Sequence, residues 1–112
     1  MPVKVSIVED VDEVREGLAD LVRSDKELLL LDNFEDAESA AEKLPSLQPD
    51  IVIMDINLPG MSGIDCIKKI KEKCPTTQFM MFTVYENDEK VLQALQAGAT
   101  GYLLKRTNPE RI

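Results

Sequence analysis

The chain has 112 residues, 44% of them hydrophobic, which suits one domain with a modest core. Its 13 basic and 21 acidic residues leave a net charge of −8, which repels phosphate backbones and anionic lipid and so argues against direct nucleic-acid binding by this segment. No run is long enough to span a bilayer, and Glu9 and Asp10 interrupt the opening apolar stretch too early for a secretory signal, so a cytoplasmic protein with no membrane partner is expected.

In chain order, Val3 to Val8 reads as a strand that ends in the acidic pair Glu9-Asp10. Val11, Val14, Leu18, Leu21 and Val22 then recur at helical spacing, with Asp12 available as a cap and Asp25 closing the segment. Leu28 to Leu31 is a second strand. Asn33 can cap a helix whose inner face is Ala37, Ala40, Ala41 and Leu44, small residues that imply close packing on a sheet, and Pro45 and Pro49 end it.

Ile51, Val52, Ile53 and Met54 form an uninterrupted apolar run, suited to a strand buried on both faces, and it stops at a carboxylate, Asp55. Asn57, Pro59 and Gly60 make a turn, after which Ser62 can cap a helix that buries Ile64, Ile67, Ile70 and Cys74 and shows Lys68, Lys69, Lys71 and Lys73 to solvent. Cys66 and Cys74 are eight positions apart in that helix, about 12 Å between Cα atoms, too far for a disulfide. With no His and no Cys-x-x-Cys in the chain, zinc sites, thiol redox sites and His-dependent hydrolases are excluded.

Thr77 to Thr83 is a fourth strand. Asn87 or Asp88 starts the next helix, Val91, Ala94 and Leu95 face inward, and Gly98 stops it. Thr100 to Leu104 is a fifth strand, followed at once by Lys105. Asn108-Pro109-Glu110 is a good helix start with only Arg111 and Ile112 after it, so residues 1–112 are expected to form a single domain lacking most of its last helix. Such a loss would bare apolar surface over the first, third and fourth strands unless residues beyond 112 or a second chain cover it.

Five strands alternating with helices predict an α/β fold with a doubly wound parallel sheet, flavodoxin-like, in the order 2-1-3-4-5. Under that order the carboxyl ends of four strands converge, bringing together Glu9 and Asp10, Asp55, Thr83 and Lys105. Three clustered carboxylates repel one another unless a cation lies among them. Oxygen ligands of this kind suit Mg2+, with Asp10 and Asp55 as ligands, Glu9 acting through water and the carbonyl of Asn57 completing the set. A carboxylate is a competent phosphoryl acceptor, and the charge neutralisation that such a transfer needs would come from the metal, Lys105 and the Thr83 hydroxyl.

Glu9-Asp10, the D-x-N-L-P-G-M-S-G run from Asp55 to Gly63, Thr83, and A-L-Q-A-G-A-T-G-Y-L-L-K from Ala94 to Lys105 closely resemble response-regulator receiver domains of two-component signalling. The similarity covers Val3 to Lys105 and is greatest to the NarL/FixJ type. The resemblance implies that Asp55 is the phosphoacceptor of a sensor histidine kinase, that Glu9 and Asp10 hold Mg2+, that Thr83 binds the phosphoryl group and that Lys105 pairs with it. It also implies that Tyr102 is an aromatic switch moving with Thr83. Phosphorylation would reshape the surface around the fourth helix and fifth strand and favour a homodimer, so that an output domain outside these residues binds DNA to regulate transcription. The chain would then be a phosphoacceptor signalling domain that assists its own phosphorylation and dephosphorylation, and not an enzyme.

One departure from the family pattern is Arg106, where receivers often have Pro in a cis bond after the lysine; a trans bond is expected here. Tyr85 is a candidate shield of the aspartyl phosphate. A magnesium phosphohydrolase would want a carboxylate two residues after Asp55, where Asn57 stands. A nucleotide-binding domain would want a glycine-rich loop after the first strand, and Glu9-Asp10-Val11-Asp12 is the opposite in charge.

Overall fold

The computed structural model describes residues 2–55, 58, 60, 63–83 and 101–104, with residues 82, 83 and 101–104 described through their backbone. The described elements are β1 (Val3–Val8), α1 (Asp12–Ser24), β2 (Leu28–Phe34), α2 (Ala37–Leu47), β3 (Ile51–Asp55), α3 (Gly63–Lys73), β4 (Gln78–Thr83) and β5 (Gly101–Leu104). All strands pair in parallel, as the alternation of strand and helix patterns predicts, and their order β2-β1-β3-β4-β5 is the winding expected. The helix expected from Asn87 or Asp88 to Gly98, the Ser62 cap, the Lys105–Arg106 bond and the start of a last helix at Pro109 lie outside the described residues. Among the described residues, no helix is long and apolar enough to cross a membrane.

The helices divide between the two faces of the sheet. One face carries α2 and α3, where Val8, Val52, Met54, Phe79 and Met81 from the strands meet Leu44, Ile67 and Ile70. Ala37 and Ala40 are fully buried there, and their small side chains let α2 lie close to the sheet. The other face carries α1, whose Leu18, Ala19 and Val22 pack on Val5 and Ile7. β3 was expected to be buried on both faces; Val52 and Met54 are fully buried on the α2/α3 side, and Ile51 and Ile53 pack half-buried on the α1 side.

Several local expectations change in the tertiary context. β2 runs three residues past Leu31, because the pairing with β1 shifts register between Val5↔Leu30 and Ser6↔Asp32 and steps over Leu31. This bulge reverses the alternation, so Leu28 and Leu30 pack on the α1 side and Phe34 on the α2 side. Asn33 therefore lies within β2 and does not cap α2; Asp36 does, its Oδ1 accepting from the Ser39 N–H at 2.7 Å. That hydrogen bond also holds the Asp36 carboxyl below its ordinary pKa.

Asp12 is not a cap but the first helical residue of α1; Val11 holds the cap position and offers no side-chain hydrogen bond. Pro45 does not end α2 but sits in its last turn, where its missing N–H removes one intrahelical bond, and Gln48 closes the helix in a left-handed conformation, φ 49°.

Lys71 is not a solvated lysine. Its Nζ donates to the Thr77 carbonyl at 2.6 Å and lies 5.7 Å from the centre of the Phe79 ring, while the buried Thr77 hydroxyl donates to the Pro49 carbonyl at 2.7 Å. Cys66 and Cys74 are free and buried, Cys74 just beyond the end of α3, and burial pushes the Cys66 thiol up to about 12.

Candidate functional site

The site starts with register. Val8 of β1 is opposite Met54 of β3, so the next residues along each strand direction, Glu9 and Asp55, emerge side by side at the carboxyl edge of the sheet. Asp55 is in turn opposite Phe82 of β4, and Thr83 pairs with Leu104 at the end of β5, so the backbone brings the ends of β4 and β5 to the same edge. Loops at this edge leave parallel strands toward the following helices, which is where open α/β sheets bind ligands.

Glu9 is 1% exposed and Asp55 4%, whereas Asp10, in the bend before α1, is exposed. Carboxylate oxygens of Glu9, Asp10 and Asp55 all lie within 4.8 Å of one another. Ligands about 2.1 Å from an octahedral Mg2+ are about 3 Å apart when adjacent and about 4.2 Å when opposite. The observed spacing therefore accommodates one hard cation, with room for a ligand acting through water. An all-oxygen, anionic donor set with one solvent-facing member fits a partly hydrated magnesium ion in both charge and hardness.

The turn that presents Glu9 and Asp10 is held from three sides. The Glu9 N–H donates to the Phe34 carbonyl of β2 at 2.9 Å, and the Glu9 Oε2 accepts from the Val11 N–H at 3.0 Å. The Glu9 carbonyl accepts from Arg15 Nη1 at 2.9 Å, and Arg15 Nη2 pairs with Asp12 Oδ1 at 2.5 Å. Arg15 has no role in the sequence reading. The available signal was the acid–base pair Asp12–Arg15 at i,i+3 spacing, one turn after two carboxylates.

Of the residues expected in the site, Glu9, Asp10 and Asp55 come together. Thr83 and Tyr102 are placed by their backbone only, Thr83 as the last residue of β4 and Tyr102 opposite Met81 in β5. Asn57, Lys105 and Tyr85 lie outside the described residues. Gly60, in the loop after β3, has φ +73°, a left-handed conformation that suits glycine.

The family model for the response regulator receiver domain matches residues 5–112. The transcriptional regulatory protein LnrK of Bacillus subtilis is 37% identical over 110 residues, which are 98% of this chain and 50% of that protein. The chain spans about half the length of the curated relatives it matches. Among solved structures, the signal receiver domain of the putative response regulator NarL from Mycobacterium tuberculosis superimposes with a TM-score of 0.89 at 26% identity, covering 96% of this chain and 86% of that one. A chain of the CheX–CheY–BeF3–Mg2+ complex from Borrelia burgdorferi superimposes with a TM-score of 0.89 at 26% identity, covering 99% and 84% of the two chains.

Proposed function

The chain belongs to the response regulator receiver family, a family of signalling domains, and from that premise we propose that Asp55 accepts a phosphoryl group from a sensor histidine kinase in a magnesium-dependent reaction. The reading is carried by one observation, the convergence of Glu9, Asp10 and Asp55 within 4.8 Å at the carboxyl edge of the sheet. Receiver domains bind Mg2+ at an acidic pocket, and here Asp10 and Asp55 would hold it directly, Glu9 through water, with the Asn57 carbonyl completing the set. Bound there, the ion supplies neutralisation of charge on the incoming phosphoryl oxygens.

A carboxylate oxygen of Asp55 forms the new bond to phosphorus while the phosphorus–nitrogen bond of the donor phosphohistidine breaks, and the imidazole nitrogen leaves with the electron pair and is reprotonated. Asp55 supplies the nucleophilic oxygen, and its burial limits the motion of its carboxylate, which suits a transfer that needs little beyond positioning and charge neutralisation. Thr83 donates its hydroxyl to the transferred group and Lys105 pairs with it. Asn57, two residues after the acceptor, offers no acid–base group to drive rapid hydrolysis, which suits a domain that assists its own dephosphorylation without rapid turnover.

Phosphorylation then shifts a population, drawing Thr83 in, turning Tyr102 inward, reshaping the surface around the fourth helix and fifth strand and so favouring a homodimer. Residues 1–112 act as a single receiver module in the cytoplasm, and control of transcription through DNA belongs to an output domain outside them. Intact mass after incubation with acetyl phosphate and Mg2+ tests this reading. One stable phosphoryl adduct is expected on the wild type and none on Asp55→Ala; continuous phosphate release, or an adduct that survives Asp55→Ala, would refute it.

A further inference from the structure

We propose that Arg15 is a positioning residue for the acidic site: by holding the Glu9 carbonyl it orients the Glu9–Asp10 turn for a divalent cation. The inference rests on the magnesium reading above and adds to it a group that never touches the ion.

Arg15 stands in the first turn of α1 but reaches back toward the end of β1. Its side chain is only 12% exposed, although it is long and charged, and its two terminal nitrogens serve different partners. Nη1 donates to the Glu9 carbonyl at 2.9 Å, and Nη2 pairs with the carboxylate of Asp12, which is 79% exposed. A planar guanidinium can hold both at once because its donors diverge at fixed angles, which a lysine ammonium cannot reproduce. The Glu9 carbonyl belongs to the peptide unit that joins Glu9 to Asp10, so its orientation sets where the Asp10 side chain begins. Val11 brings no side-chain cap to α1; inside the turn its N–H donates to Glu9 Oε2, and two contacts from outside complete the hold, the Phe34 carbonyl on the Glu9 N–H and Arg15 on the Glu9 carbonyl.

A cation beside three carboxylates would ordinarily compete with a metal for them. Here Asp12 takes the outer half of the guanidinium, drawing charge toward solvent while the inner half holds a neutral carbonyl. This arrangement separates positioning from electrostatics by sign. If Arg15 acts only through its charge, its removal leaves the site more negative and tightens Mg2+ binding. If it only supports the fold, removal lowers the melting temperature and leaves Mg2+ affinity unchanged. As a positioning residue, its removal weakens binding, and outer partners of metal ligands typically matter by about 10- to 100-fold.

Calorimetric titration of MgCl2 into the whole chain, with melting temperatures recorded in EDTA, distinguishes these cases. For Arg15→Ala, at least about a tenfold rise in the Mg2+ dissociation constant is expected. Arg15→Lys, which keeps the charge and can hold the carbonyl or Asp12 but not both, should recover only part of the affinity. Should Arg15→Ala fail to fold, Arg15→Lys carries the test with a loss of a few fold. Unchanged or tighter binding in a folded Arg15 variant, while wild type binds and Asp55→Asn does not, overturns this proposal alone. Absence of saturable Mg2+ binding by the wild type overturns the magnesium reading and this inference together.

Discussion

On the face of the sheet that carries α2 and α3, Val52, Met54, Phe79 and Met81 are fully out of solvent, while on the α1 face their strand neighbours Ile51, Ile53 and Met80 are half-buried. The same strands thus bury one set of side chains completely and the alternate set partly. Among the described residues the first face has two helices and the second has one. The helix starts differ in the same sense. α2 begins at a side-chain cap, Asp36, whereas the start of α1 is shaped by contacts that hold Glu9 and Asp10 at the site. The contrast teaches that, among the described residues, the α2/α3 face is the more completely buried, while the contacts at the start of α1 hold the Glu9–Asp10 turn.

Substitutions that probe the two faces should separate widely. Ile67→Ala, fully buried against the sheet, is expected to cost about 3 kcal/mol in urea unfolding, from lost burial plus the cavity left behind. Ile53→Ala, half-buried, should cost about 1.5 kcal/mol, since part of that side chain already meets water. Equal losses would erase the distinction between the faces.

A smaller effect of opposite sign is expected on the sealed side at Ser6, whose buried hydroxyl has no hydrogen-bond partner among the described residues. Ser6→Ala removes the cost of that desolvated group and should stabilise the chain by about 1 kcal/mol; a destabilised variant would show that the hydroxyl is satisfied in solution.

The smallest expected effect concerns the helix starts. The folded-state pKa of Asp36 lies below its ordinary 3.8, so its cap is in place above that value and is lost as acidification passes through the lowered one. The Ser39 amide resonance should therefore titrate with a midpoint below 3.8. A midpoint at or above it would remove the difference between a capped α2 and an uncapped α1.

The strands, their parallel pairing and the acidic edge were legible because they follow from short-range pattern, apolar runs that stop at Glu9 and Asp55 separated by helical periodicities, while the order 2-1-3-4-5 was expected as a known winding of such sheets. The errors came where a distant contact outweighed a local preference. Asn33 is a plausible cap by residue type, yet the β1–β2 bulge extends the strand through it and passes the capping role to Asp36. Lys71 belongs to a basic run that reads as solvated, yet the Thr77 carbonyl lies within reach of its ammonium. Pro45 reads as a stop, but in a last turn it removes only one bond. Arg15 paired with Asp12 reads as an ordinary i,i+3 surface pair, yet its Nη1 reaches the Glu9 carbonyl six residues earlier in the chain.

The amino-acid order alone determined which segments are strands, that parallel pairing follows from the helices between them, and that three carboxylates leave strands at one end, because each is encoded in side-chain period and in where an apolar run meets a charge. Tertiary structure decided that Val8 pairs with Met54, so that Glu9 stands beside Asp55, and that Arg15 reaches the carbonyl of the Glu9–Asp10 turn. Those are matters of register and reach, settled only when the strands pair and the helices dock on them.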